Sequence, residues 1–579
     1  MKTKQKITML LSLILTILLI STGLSFAYFS ANITGTETST TIQASGGVMN
    51  IDYDGGENIN TPNIFPSNEP FATKNFTLTG KSTTNDNMNY HIILVIEENT
   101  FTNNALQYKL ISTNTDNNGA IAPSIVQSGI ATGTQEIFLG DGTFESPVNN
   151  KLHSYNLKLY FPDTGKSQDE DQGKIFKAYI KVKEGEYDFP GYNEDKGVNH
   201  PVLFTGMTPI KWDENNKEIN TTADDPDWYD YDEKRWANAK SADGSYWVWI
   251  PRYAYKITSG YHSSETGTID VKFLKGSTNM TVGNTIIESA GYIPHEKDTS
   301  MHYFLHPAFQ FVGEKTGFWM AKFEPTATEG LESGYTSGSC EPTDNVITKT
   351  VAIIPNSTSW RCINFSTAYK VSKKLSEKTE IYGWNKVEVD SHLINNIEWG
   401  VVAYLSKSQY GADGEVWNNA YKEFITGCSG PSVDSNRQST CVEYNTPNGV
   451  KASTTYNIYG VYDMSSGSNE FVLGNINNFL GSSGFTIEQL SEISSVYINR
   501  YKVDAKYNYG DAIYETSSGS GVSSSWFADY SLFPSNSTSP FFRRGGNYTY
   551  KTIGGVFNYN ATTGSADALN SFRPVLMPI

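Results

Sequence analysis

The stretch "FFRRGGNYTYKTIGGVFNYN" at 541–560 sets two glycine pairs among arginines, amides and aromatic rings. Residues of these types admit three chemistries. Glycine-rich backbone can cradle a phosphate, but "RRGG" has neither the lysine and serine of a P-loop nor its strand-to-helix setting, which sets phosphate aside. Nucleophilic catalysis needs a serine or cysteine beside a base and an orienting group. The chain has no G-x-S-x-G elbow, and none of its many serines is singled out by its neighbours. The third chemistry is recognition, in which rigid amphipathic rings supply contact area and amides supply hydrogen bonds. On that reading the ligand-binding residues are Arg543, Arg544, Asn547, Tyr548, Tyr550, Phe557, Asn558, Tyr559 and Asn560.

Other side chains could hold a metal. Asp463 and Glu470 in "DMSSGSNE" place carboxylates around a Gly turn, which suits a hard, oxygen-seeking cation, so calcium is the one cofactor suggested. The competing reading is a hydrogen-bonded turn that caps the core. A second acidic group, Asp224, Asp225, Asp227, Asp230, Asp232 and Glu233, lacks the D-x-D-x-D-G…E spacing and reads as a solvated linker. His295, His302 and His306 form the only local histidine group, and Pro307 with its aromatic neighbours argues for a strand or loop rather than a zinc helix. The four cysteines are Cys340, Cys362, Cys428 and Cys441. An even count in an exported chain favours disulfides, with three pairings open. Nearest-neighbour pairing is expected, and a short stapled loop stabilises by roughly 3 kcal/mol in the chain-entropy model.

The elements that must position these residues fall into three regions. Residues 28–190 hold alternating runs such as "NYHIILVIEEN" and "SYNLKLYFPD", bounded by turn residues, which predict an antiparallel β-sandwich. Residues 191–243 lose that periodicity and are expected to be an acidic linker. From 244 to 579 short strands and polar loops mix with two helical candidates, 366–378 and 394–411. In the second, Ile394, Ile397, Val401 and Leu405 fall at helical spacing and make a core face.

At the N-terminus, lysines at 2, 4 and 6 precede an apolar run from 7 to 24 and the small residues Ser25 and Ala27. Residues 1–27 thus predict a signal peptide or, uncleaved, a membrane anchor, and either one exports the rest. Lys plus Arg number 44 against 61 Asp plus Glu, and a net charge of −17 disfavours nucleic acid as a partner.

Two resemblances add to this. "SFAYFSANITGTETSTTIQASGGVMNIDYDG" resembles the start of the camelysin/TasA-like biofilm-fibre family, which implies export and a first β-domain. In the third region "GFWMAKFEPT", "SWRCINFSTAYKVSKKLSE", "HLINNIEWGVVAYLSKSQYG", "NIYGVYDMSSGSNEFVLGN", "RRGGNYTY" and "NSFRPVL" resemble, in order, the formylglycine-generating (sulfatase-modifying factor) family. That resemblance implies an α+β C-type-lectin-like fold, with Glu398 and Trp399 matching a family helix. The enzymes of that family bind copper through a cysteine pair just after the RGG motif. Tyr550 stands where the first would be, Gly555 is near the second, and Pro574 replaces a further cysteine that is common there. Copper(I) prefers soft thiolates, so the oxidase chemistry is not expected and no catalytic residue is assigned. The ending also resembles the variable domains made by diversity-generating retroelements.

The sequence therefore predicts a multidomain, exported or surface-attached bacterial protein, adhesin-like in function. Its lectin-like domain would bind an extracellular protein or glycan ligand, and it would meet a membrane only through its N-terminal segment. The alternatives are a formylglycine-type oxidase with thiols relocated to Cys428 or Cys441, and a subunit of an extracellular fibre.

Overall fold

Alternation builds the first region. In the strand Met88–Asn99, Tyr90, Ile92, Leu94 and Ile96 point one way and are all buried, as the period of two requires. This strand lies in a five-stranded sheet ordered Ile59–Thr61, Ser30–Gly35, Ile175–Glu184, Met88–Asn99, Gln135–Phe144. A six-stranded sheet runs Thr40–Ala44, Gly47–Asp54, Ser67–Ser82, Lys151–Phe161, Gln107–Ser112, Ser128–Gly129. Pairing is antiparallel except between Ser30–Gly35 and Ile175–Glu184. One core cluster takes side chains from both sheets, including Phe76, Leu78 and Leu157 from one and Leu94, Leu139 and Ile180 from the other.

The structure is a computed structural model. It describes residues 30–579 apart from 36–39, 45–46, 62, 84, 103, 115–127, 165–167, 286, 290–298, 333–339, 432–439 and 504–507. The expected signal or anchor at 1–27 and His295 lie outside the described residues. Among those residues, no helix is long and apolar enough to cross a membrane. Strands hold 36% of the residues and helices 10%, so the chain is mostly β, consistent with a β-rich multidomain protein.

The second core is larger and begins earlier than the sequence suggests. It extends from Val198 to Met577 and takes in Trp212, Trp228 and Trp236. Residues 191–243 are therefore not a free linker. Thr208–Trp212, Glu218–Asn220 and Asn238–Lys240 are strands of a seven-stranded antiparallel sheet that continues through Tyr246–Pro251, Gly317–Ala321, Pro574–Pro578 and Val389–Leu393. Strands of three to five residues are too short to show a period, and the acidic residues between them hide the aromatic anchors. "YWVWIP" at Tyr246–Pro251 is buried at every position, because this central strand is covered on both faces.

Two helices pack on this frame. Phe365–Lys373 is capped by Asn364, whose side chain accepts from Thr367 N. Asn396–Ser406 opens with a capping box in which Asn395 and Glu398 exchange side-chain and backbone hydrogen bonds. Burial reaches nearly every residue of the second helix, so its single expected face is a fully enclosed cylinder. The two regions touch where Asn104 Nδ2 donates to Gln310 Oε1 at 2.7 Å and where Lys275 Nζ lies 5.0 Å from the Phe189 ring.

Candidate functional site

The expected ligand face lies largely inside the protein. Phe541–Arg544 and Tyr559–Thr562 are neighbouring antiparallel strands, with Arg544 opposite Tyr559, in a sheet that also holds Asn469–Ile476 and Asn499–Tyr501. Arg544, Asn547, Tyr548, Phe557, Asn558, Tyr559 and Asn560 are all buried. Arg544 donates to the carbonyls of Asn558, Asp511 and Ala512 at 2.9 Å each. Tyr559 OH bonds Ser517 Oγ at 2.8 Å, and Asn547 Oδ1 accepts from Thr549 N and Oγ1. Tyr548 packs edge-on against Phe424, and Asn558 Nδ2 donates to Ile553 O. Half-buried Arg543 donates to Asn570, and half-buried Tyr550 accepts from Asn560 Nδ2. Nine residues offered as a surface thus yield mainly a core, because aromatic and amide side chains serve an internal polar network as readily as a ligand.

The calcium donors are engaged as well. Glu470 and Arg573 form a bidentate pair, with Arg573 Nη2 and Nε at 2.5 and 2.8 Å from the two carboxylate oxygens, and both side chains are fully buried. Asp463 accepts from Asn419 Nδ2 at 2.9 Å and from Gly427 N at 3.0 Å. Glu324 lies beside it, its Oε1 accepting from Ser468 N at 2.8 Å. This is a core-capping turn with every carboxylate answered by a donor of the protein. Among the described residues no group of three or more His, Cys, Asp or Glu is arranged to hold a metal. His306 is buried, and burial lowers its imidazole to about 3, so it is neutral. His302 is exposed.

All four cysteines are paired, Cys340 with Cys362 and Cys428 with Cys441, at Cα separations of 5.2 and 5.0 Å. The nearest-neighbour expectation holds, and no thiol is left for a relocated oxidase centre.

A shallow recess beside the tail is lined by three separated segments. Ser406, Lys407, Gly414, Glu415 and Val416 come from the end of the second helix and the loop after it. Phe527 and Asp529 come from a second segment, and Gly555, Val556 and Phe557 from a third. Lys407 Nζ is tied to Asp413 Oδ1 at 2.6 Å and lies 5.8 Å from the Phe527 ring centre. Asp529 is 1% exposed. Its Oδ2 accepts from Phe557 N at 2.9 Å, and its Oδ1 receives no hydrogen bond. Burial and the nearby Glu415 carboxylate push the Asp529 carboxyl well above the ordinary carboxylate range, against the Phe557 and Asn558 backbone N–H groups and the charge of Arg544.

Two features show that this geometry is imposed. A Cβ added at Gly555 would lie 2.3 and 2.4 Å from the two Asp529 oxygens, so only glycine leaves room for the carboxyl. Phe527 and Ala528 both have positive φ, 58° and 61°, and each such residue stores about 1–3 kcal/mol of strain. Strained backbone beside a buried carboxyl makes this place a candidate site. Lys407, Glu415 and Asp529 carried no sequence signal, since no motif links them. Gly555 and Phe557 were noticed for other reasons, Gly555 as the place near which a family thiol would fall.

No protein-family model matches the chain, and no curated protein sequence matches it.

Proposed function

We propose that this is an exported or surface-attached ligand-binding protein whose C-terminal region is a lectin-like domain without oxidase chemistry, and that its ligand enters the cleft between Glu415, Phe527, Asp529 and Phe557. The observation that carries this reading is the buried Asp529 carboxyl, which keeps one oxygen without a hydrogen bond in the protein and lines the cleft together with Phe527 and Phe557. Buried polar atoms are ordinarily answered by a protein group or an ordered water, and this one faces the lining of a cleft. Two disulfides fit an oxidising, extracellular setting. The cleft also includes Gly555, near the position where the resembling enzymes carry a metal-binding thiol, so the reading keeps that family's site and replaces its chemistry.

The test is binding of the purified chain to arrays of soluble glycans and immobilised peptides, with Phe527→Asn and Glu415→Arg beside the wild type. Asparagine tolerates the positive φ at 527 while removing the ring. Both variants should lose the captured ligand at least tenfold. Equal binding by all three proteins rejects the cleft as the site.

A further inference from the structure

We propose that Arg543, Asn560 and Tyr550 form a second binding site, separate from the cleft, that takes a uronic acid: a sugar whose carboxylate meets Arg543 while a ring hydroxyl meets Asn560 and Tyr550. The site is independent of the cleft and uses the part of the tail that stays at the surface.

Three polar groups meet here with bonding capacity that the protein leaves unused. Arg543 and Asn560 are directly opposed on antiparallel strands, so their side chains share one face of the sheet at a Cβ separation of about 4.5–5.5 Å. The half-buried Arg543 side chain makes one hydrogen bond, Nη1 to Asn570 Oδ1 at 3.1 Å, and among the described residues it has no ion pair. Its Nε is buried without a partner, whereas Nη2, equally without one, reaches solvent. The adjacent Arg544 is spent on three carbonyls and Arg573 on Glu470, which leaves Arg543 as the open fork. Asn560 is 7% exposed. Its Nδ2 donates to Tyr550 OH at 2.8 Å, and its Oδ1 accepts no hydrogen bond yet reaches solvent. The Tyr550 hydroxyl, having accepted from Asn560, keeps its own proton to donate. Its ring is held in place: a Cβ at Gly546 would lie 2.9 Å from it, and Tyr530 meets it edge-on at 6.2 Å.

The unused set is therefore donor, acceptor, donor. A carboxylate supplies acceptor oxygens to the planar guanidinium. A sugar hydroxyl accepts from Tyr550 and donates to Asn560 Oδ1 through one atom, since a hydroxyl does both. Phosphate answers Arg543 and Tyr550 but is mainly an acceptor and serves Asn560 poorly. A neutral sugar leaves Arg543 unanswered, and an ammonium is repelled by it. The Tyr550 and Tyr530 rings lend apolar contact area beside these polar groups. The chain's charge of −17 opposes anions at long range, but salt screens it over about 8–10 Å, so the fork decides at contact.

The experiment titrates the full chain by calorimetry with methyl glucuronide, methyl galacturonide, methyl glucoside, N-acetylglutamate and inorganic phosphate. Arg543→Gln, Tyr550→Phe and Phe527→Asn accompany the wild type. At least one uronide is expected to bind in the millimolar range, as a fragment of this size does, and the other three probes at least tenfold more weakly. Arg543→Gln should lower uronide affinity at least tenfold. Tyr550→Phe removes one hydroxyl and leaves the ring, so it guards against a folding defect at 543 and should lower affinity at least threefold. A non-uronide probe within tenfold of the better uronide, a smaller loss in either variant, or no binding of either uronide each overturns the site. Preference for N-acetylglutamate would overturn it in favour of an acidic peptide. Phe527→Asn should bind the uronide as the wild type does, and loss there would place the sugar in the cleft and overturn a separate site. Array binding lost in Phe527→Asn while no uronide binds removes the Arg543 site and leaves the cleft standing. Array binding unchanged in Phe527→Asn and Glu415→Arg, with the uronide bound through Arg543, does the reverse.

Discussion

Replacing His392 should change both the stability of the C-terminal region and its dependence on pH. His392 is fully buried on the strand Val389–Leu393. Its Nδ1 lies 2.8 Å from Asp390 Oδ1 and its Nε2 2.8 Å from Glu398 Oε1, with the ring stacked on Phe311. Burial alone would lower this imidazole, but Glu398 and Asp390 overcome it and raise it to about 9. Against an unfolded value of about 6.5, and at 1.36 kcal/mol per unit, the charged form contributes about 3 kcal/mol. Because the folded value is the higher one, that contribution is complete below about pH 6.5 and is lost as pH rises through 9. Asp390, which burial would raise, is held at about 2 by His392, Lys373 and Tyr497. Much of that shift is the same interaction seen from the other partner and is not added again. His392→Gln leaves buried Glu398 without its cation, while half-buried Asp390 keeps Lys373 at 3.2 Å, and should cost about 3–5 kcal/mol at pH 5.5. Guanidinium unfolding followed by tryptophan emission is the assay, because the first of the eleven tryptophans is Trp212 and the signal reports the second core alone. The wild type should lose about 3 kcal/mol between pH 5.5 and 9.5, and the variant far less. Parallel pH profiles in the two proteins would refute the reasoning.

Trp236→Ala, in the segment expected to be a linker, should cost about 3–5 kcal/mol as a cavity in the core; an unchanged melting temperature would return that segment to solvent. Arg573→Met should cost a similar amount, about 3–5 kcal/mol, by stranding buried Glu470, and Arg573→Met with Glu470→Met together should recover part of it in a double-mutant cycle. Replacing Cys428 and Cys441 by serine should cost roughly 3 kcal/mol, read as a lowered unfolding midpoint that no longer responds to phosphine reductant at that loop. For Asp529 the sign is reversed. A carboxyl raised on folding opposes folding increasingly as pH climbs above its unfolded value of about 4. Asp529→Asn should therefore be no less stable than wild type at pH 8, the difference shrinking toward pH 4, and a variant destabilised by more than about 2 kcal/mol at pH 8 would contradict this.

What the sequence made legible was whatever repeats locally. The run "NYHIILVIEEN" announced its strand because Tyr90, Ile92, Leu94 and Ile96 alternate onto one buried face, and the spacing of Ile394, Ile397, Val401 and Leu405 announced a helix. The cysteines paired as their spacing suggested. Burial itself was not legible. Tyr559 and Asn558 have the composition of a binding surface, yet Ser517, Ile553 and Arg544 claim their polar atoms from far along the chain. Trp228 and Trp236 sit among so many acidic residues that their window reads as solvent. Asp529 and Glu415 meet only because a helix end, a strained loop and a Gly pair converge, and no one-dimensional spacing encodes that meeting.

The strand Pro574–Pro578 lies between Gly317–Ala321 and Val389–Leu393, joining Trp319 to Leu576 on one side and His392 to Val575 on the other. For a chain synthesised from its N-terminus, this means that the second core cannot close its main sheet until this strand has been made. Until Pro574–Pro578 arrives, two strand edges stay open, a state prone to mispairing. Such late closure makes this strand a checkpoint: a chain cut before Pro574 would keep its first core and lose its second.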